Sequence, residues 1–246
     1  MPKDVSFLEI SNLFLSLNVD ERRFIINNGV LLKSMIGNIL SEEKKYTFAT
    51  PLTDEEAVTF LHRNACCEPS STVSAWRSYS RSVDYNGPCC WHLRKGFSLF
   101  ENGSKTGPFC GGRVLLNKEA LHQCKELSLP AIAFWIPVVA KSSTSRSFAE
   151  QNDYLRILRE LNGLPEVHCL SLGSISVIVP LVFSHFRETG CRAPDSLLSV
   201  STDDKYSRGR VVTITFEKSG LRCNVWDGNR DDNVGFFLLG LNPIDS

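Results

Sequence analysis

The stretch GPCCWH, residues 87–92, sets two adjacent cysteines and a histidine within four positions. Three chemistries suit those residue types. Zinc needs four thiolate or imidazole ligands in a tetrahedron, and Cys66, Cys67, Cys89, Cys90 and His92 are numerous enough to supply them. The C-x2-C hook that turns both sulfurs towards one ion is absent. Adjacent thiols on an extended chain point to opposite faces, so only one of each pair would ligate readily. No metal site and no cofactor are therefore expected, and no stoichiometric zinc. A reactive thiolate needs a lowered pKa; Cys89 and Cys90, with His92, Arg94 and Lys95 beside them, are the candidates for a catalytic Cys/His site. The third reading, which we prefer, is a pair of buried apolar cysteines beside Trp91.

The same cysteines lie in a basic, aromatic segment, AWRSYSRSVDYNGPCCWHLRKGFSLF. Lys+Arg and Asp+Glu balance at 27 each over the chain, but residues 61–146 hold 11 basic and 5 acidic groups. Aromatic faces that stack bases, with cations that hold phosphates, are what single-stranded nucleic acids use. Trp76, Arg77, Arg81, Trp91 and Arg94 are the candidate binding residues on that reading. The plainer alternative is a loop anchored by its aromatics and solvated at its cations.

Other motifs fall short of a chemistry. ENGSKTG at 101–107 lacks the glycine spacing of a phosphate loop and reads as a solvated turn. DGNRDDN at 227–233 places oxygens as a calcium loop begins, but Asp232 and Leu238 stand where such a loop needs Gly and Glu. A turn capped by its own Asp and Asn side chains fits better. There is no G-x-S-x-G elbow, and the five histidines are scattered singly. His185 reads as core or cap rather than base.

The elements that must position these residues come in two groups. Residues 4–17 and 19–40 have helical apolar spacing, and LTDEEAVTFLHRNA announces a third helix with Thr53 as cap. Together they suggest a helical N-terminal subdomain over 1–66, with an α+β main domain over 67–246. Within the latter, EPSSTVSAWRSYSRS reads as loop or linker and NKEALHQCKEL as helix. LPAIAFWIPVVA reads as a buried strand, and FAEQNDYLRILREL as an amphipathic helix. SISVIVPLVFSHFRETG is a further helix ending at Gly190, where Pro180 implies a kink or a late start. From Gly209 onward the chain alternates strand, turn, strand, turn, strand, with reversals at Lys218-Ser219-Gly220 and Asp227-Gly228-Asn229. The expected class is α+β: helices, then a C-terminal antiparallel sheet.

Across residues 127–239 the runs LSLP, AIAFWIPVV, CLSLGSISVIVPLVFSHF and RVVTITFEKSGLRCNVWDGN resemble a bacterial protein family with no assigned activity. Trp226, Gly228, Asn229 and Gly235 match that family's C-terminal turn, while Asn224, Asp231 and Asp232 depart from it. The resemblance implies fold and bacterial origin, and no catalytic residue.

Composition narrows the setting. No apolar run approaches the roughly 20 residues of a spanning helix, and Asp4 and Glu9 argue against a secretory signal. Nine cysteines, an odd number that includes vicinal pairs, suit reduced thiols in a cytoplasm. The function expected is a non-catalytic binding or interaction module with a protein partner and no membrane. The alternatives are an enzyme built on residues 89–92 and a weak binder of single-stranded nucleic acid.

Overall fold

The computed structural model describes residues 18–19, 47–64, 68–107, 109–112, 126–165, 172–194, 198–206 and 209–244, with backbone alone at 109–112. The chain divides into two compact units, Met1–Thr47 and Phe48–Ser246. The expected helices at 4–17, 19–40 and 117–127 lie essentially outside the described residues, as do Cys66 and Cys67. The second unit starts at Phe48, so the helix capped by Thr53 belongs to it and not to a subdomain running to residue 66.

That unit is α+β. In chain order its elements are β1 (Ala49–Leu52), α1 (Asp54–Arg63), α2 (Pro69–Ser82), β2 (Cys90–Leu93), α3 (Leu99–Thr106), β3 (Phe109–Gly112), β4 (Ala131–Val139), α4 (Phe148–Leu161), α5 (Ile175–Thr189), β5 (Ser199–Tyr206), β6 (Arg210–Glu217), β7 (Gly220–Trp226), β8 (Val234–Gly235) and β9 (Phe237–Pro243). One sheet runs β1-β2-β4-β9, every pair antiparallel. The other runs β3-β7-β6-β5-β8, an antiparallel centre flanked by two parallel edges. Among the described residues no helix is long and apolar enough to cross a membrane.

The first sheet is covered on both faces. Trp91, Leu93, Ala133 and Trp135 pack on α5 and, beyond it, on Val212, Ile214 and Phe216 of the second sheet. Cys90, Ile132, Phe134 and Ile136 pack on α1, α2 and α4 through Leu61, Trp76 and Leu155. A strand with both faces buried cannot alternate apolar and polar residues, which is why β4 begins with six consecutive buried residues. The same logic makes α5 apolar all round, with Ile175 through His185 all buried. Pro180 sits inside that helix and does not start it. The N-terminus of α5 is held by two aspartates of β5. Asp204 accepts from the Ile175 N–H at 2.6 Å and Asp203 from the Gly173 N–H at 2.9 Å, carboxylates at the positive end of the helix dipole.

Three expectations need correction. Residues 69–82 form α2 and not a loop, because Val73, Trp76 and Tyr79 recur at three-residue intervals on a buried face and Pro69 suits the first helical turn. The serines between them mask the periodicity. Residues 101–106 belong to α3, begun by Ser98, whose hydroxyl accepts from the Glu101 N–H, and not to a turn. Finally, the last strand leaves its predecessors: β6 and β7 form the expected hairpin, but β9 pairs with β4 in the first sheet. Gly235 permits that crossing. A Cβ there would meet Val139 at 2.5 Å and Ser143 Oγ at 2.7 Å.

The turn at 227–229 is as expected, with Asp227 accepting from the Asn229 N–H at 2.9 Å. Gly228 has φ +84° and its carbonyl accepts from the Phe148 N–H, joining the turn to α4. A β-branched residue in that conformation costs about 1–2 kcal/mol. Gly228→Val is expected to lower the melting temperature by about 2–8 °C; an unchanged transition would contradict this conformation.

Candidate functional site

β2 explains where the thiols go. Its alternation sends Trp91 and Leu93 towards α5, and Cys90 with His92 towards the helices on the other face. Cys89 precedes the strand, and its side chain escapes that alternation. Its carbonyl still accepts from the Trp135 N–H at 3.0 Å, tying it to β4. The two sulfurs consequently lie 3.9 Å apart, both fully buried. The expectation that these vicinal thiols point apart is therefore wrong for this pair.

α1 and α2 bring a partly exposed ion pair beside them. Asp54 is the first residue of α1, after a capping box in which Thr53 and Glu56 exchange hydrogen bonds. Arg77, midway along α2, donates to both Asp54 oxygens, from Nε at 3.1 Å and from Nη2 at 2.5 Å. Its Nη1 donates to the Gly87 carbonyl at 2.8 Å, just before the cysteines. This fork leaves the guanidinium fixed in one plane. An Asp54 carboxylate oxygen and the Cys89 and Cys90 sulfurs all lie within 4.8 Å of one another.

The electrostatics follow. The Cys90 thiol donating to Cys89 pulls the Cys89 pKa down; burial opposes this and Arg77 reinforces it. Cys90, as donor and as a buried group, is pushed far up. Of the two, Cys89 is the sulfur on which negative charge is better accommodated. Arg77 is raised, chiefly by its hydrogen bond to Asp54.

His92 does not join this set. It stacks on Phe60, ring centroids 5.7 Å apart, and burial followed by Arg94 lowers its pKa. The remaining sequence candidates are dispersed. Trp76 is buried and stacks on Phe134 at 5.6 Å, and Trp91 is buried with its indole N–H donating to the Trp135 carbonyl at 3.3 Å. Arg81 is exposed on α2 and Arg94 is exposed just after β2. Trp76, Tyr79, Trp91 and Phe97 of the basic segment thus face the core, while Phe100 is exposed, so Trp76 and Trp91 offer no face for a base to stack on.

Two features were invisible in the sequence. The first is an open groove of about 580 Å³ between α1 and α2. Ser70, Ser74 and Ser78, at four-residue spacing, line it from α2 with Arg81; Glu55 and Thr59 line it from α1. Asp54 and Arg77 form part of its wall, and the thiols are not exposed to it. The second is a knot of buried polar atoms: Tyr85 Oη, Trp135 Nε1 and His185 Nδ1 have no hydrogen-bond partner among the described residues. The His185 ring lies 6.2 Å from that of Tyr85 and 6.0 Å from that of Trp135. Burial pushes the Tyr85 hydroxyl far up, helped by Cys89, and pushes His185 down. Bonds across 23 residues and more carry no local sequence signal, and only the aromatic density around residue 85 pointed here.

No protein family, curated protein or solved structure matches this chain.

Proposed function

We propose that the chain is a non-catalytic binding module that takes a polar, extended segment of a partner protein into the groove between α1 and α2. The observation that carries this reading is the groove itself. Its hydroxyl row on α2 matches the donors and acceptors of an extended backbone, and Arg81 at its end suits an acidic side chain. Glu55 on the opposite wall adds a partner for a basic group and orients the segment. The groove's size lies in the range of ligand sites in proteins, which is about 300–1,000 Å³.

A panel of random octapeptides displayed on phage tests this. Peptides are expected to enrich on the wild type and to lose at least tenfold in affinity on Ser74→Trp, which fills the groove from an exposed helix position, and on Arg81→Glu. Far-ultraviolet circular dichroism checks that both variants fold. Absence of enrichment, or equal binding to Ser74→Trp, contradicts the reading.

One observation favours the alternative of a thiol enzyme: Cys89 sits beside the Arg77 guanidinium, the kind of neighbour that activates thiolates. Against it stand complete burial and a histidine that stacks on Phe60. Nucleic-acid binding loses its support with the burial of Trp76 and Trp91. The free thiols of Cys89, Cys90 and Cys191 support a reducing cytoplasm, and the resemblance across residues 127–239 supports a bacterial source.

A further inference from the structure

We propose that Cys89, Cys90 and Asp54 form a site for one thiophilic divalent cation of the zinc class. The argument begins with spacing. Zinc–sulfur bonds of about 2.3 Å at a tetrahedral angle place two sulfurs about 3.8 Å apart. The Cys89 and Cys90 sulfurs are 3.9 Å apart without any rearrangement. A carboxylate oxygen completes a triangle of donors, all within 4.8 Å of one another. The two sulfurs come from adjacent residues because Cys89 lies outside the pleat of β2, which the missing C-x2-C spacing gave no reason to expect.

Charge points the same way. Two thiolates, one carboxylate and the Arg77 guanidinium sum to minus two, and a divalent cation brings the cluster to neutrality. Arg77 stays where it is. It grips both Asp54 oxygens, and each oxygen keeps a second lone pair for the ion. That is the role of an outer hydrogen bond that orients a ligand carboxylate, so Arg77 is a positioning residue here. Its third contact, to the Gly87 carbonyl, ties the same guanidinium to the chain two residues before Cys89. Binding the ion breaks the two S–H bonds and releases both protons to solvent. Three protein ligands leave a fourth position for water or another donor, the arrangement of zinc sites that are not closed. Asp54, half-exposed in the groove wall, is the way in.

The proposal is independent of the peptide reading, since a cation can be bound whether or not the groove takes a ligand. The test uses reduced, chelator-treated full-length protein titrated with cobalt(II) and then zinc(II). One equivalent of cobalt is expected to give thiolate-to-cobalt charge-transfer absorption and the intense visible bands of a four-coordinate ion, displaced by one equivalent of zinc. Asp54→Asn is expected to weaken binding at least tenfold, and Arg77→Met by about 10–100-fold. Cys89→Ser and Cys90→Ser are each expected to abolish the charge-transfer band, while a Cys66→Ser/Cys67→Ser double variant leaves it. Where a cysteine variant does not fold, the Asp54→Asn titration decides. No stoichiometric cobalt or zinc, a band that survives both Cys89→Ser and Cys90→Ser, or one undiminished in Asp54→Asn overturns the site.

Discussion

Trp135→Ala is expected to destabilise the protein by about 3–5 kcal/mol, the cost of deleting a buried tryptophan and leaving a cavity. Trp135 is fully buried in β4 and meets Trp91, Phe237 and His185 at ring separations of 5.8, 5.3 and 6.0 Å. It therefore joins β2, β4 and β9 to α5, and neighbours drawn from two strands and a helix cannot collapse far into the gap. For a unit of this size the loss corresponds to about 6–20 °C in melting temperature. Thermal and urea unfolding measure it. Trp135→Phe is the matched control: the indole N–H has no partner among the described residues, so its removal breaks no hydrogen bond among them. The phenylalanine variant should retain most of the stability that the alanine variant loses. A loss below about 1 kcal/mol for alanine would contradict the packing of the first sheet on α5, since exposed positions tolerate substitution at that level.

What could be read in advance was what repeats locally. The apolar run of β4, the periodic face of α4, the Gly190 end of α5 and the β6–β7 hairpin each declare themselves within a short continuous stretch of chain. What could not be read depends on partners far along the chain. Gln151 is fully buried in α4 because its amide donates to the Ser143 and Val234 carbonyls and its oxygen accepts from Ser201. Nothing near residue 151 distinguishes it from the exposed polar residues of an amphipathic helix. The assignment of β9 to the first sheet has the same cause, because an alternating strand does not name its neighbour. α2 was missed for a different reason: serine is common in loops, and its exposed row here hides a buried one.

The candidate site divides along the same line. Cys89 and Cys90 were legible as residue types, and their proximity was misread because an ideal extended chain was assumed where Cys89 precedes the strand. Asp54 follows the cap residue Thr53 that marks the start of α1 in the sequence, but its pairing with Arg77 requires α2 to be a helix. His92 was singled out for its nearness in sequence, and the strand carries it to Phe60 instead. The groove could not be anticipated at all without α2.

The central claim is that the reactive-looking thiols are closed beneath the Asp54–Arg77 pair while the groove beside them is open. Cysteine alkylation of folded, metal-free protein, mapped residue by residue by mass spectrometry, tests it most directly. Cys191 is exposed and serves as the internal standard for an accessible thiol. Cys89 and Cys90 are fully buried, so a reagent reaches them only when this part of the structure opens. They should react about a hundredfold or more slowly than Cys191 in the folded protein, and at comparable rates once denaturant is added. Alkylation of Cys89 in the folded protein as fast as Cys191 would contradict the closed site and move the function to the thiol enzyme.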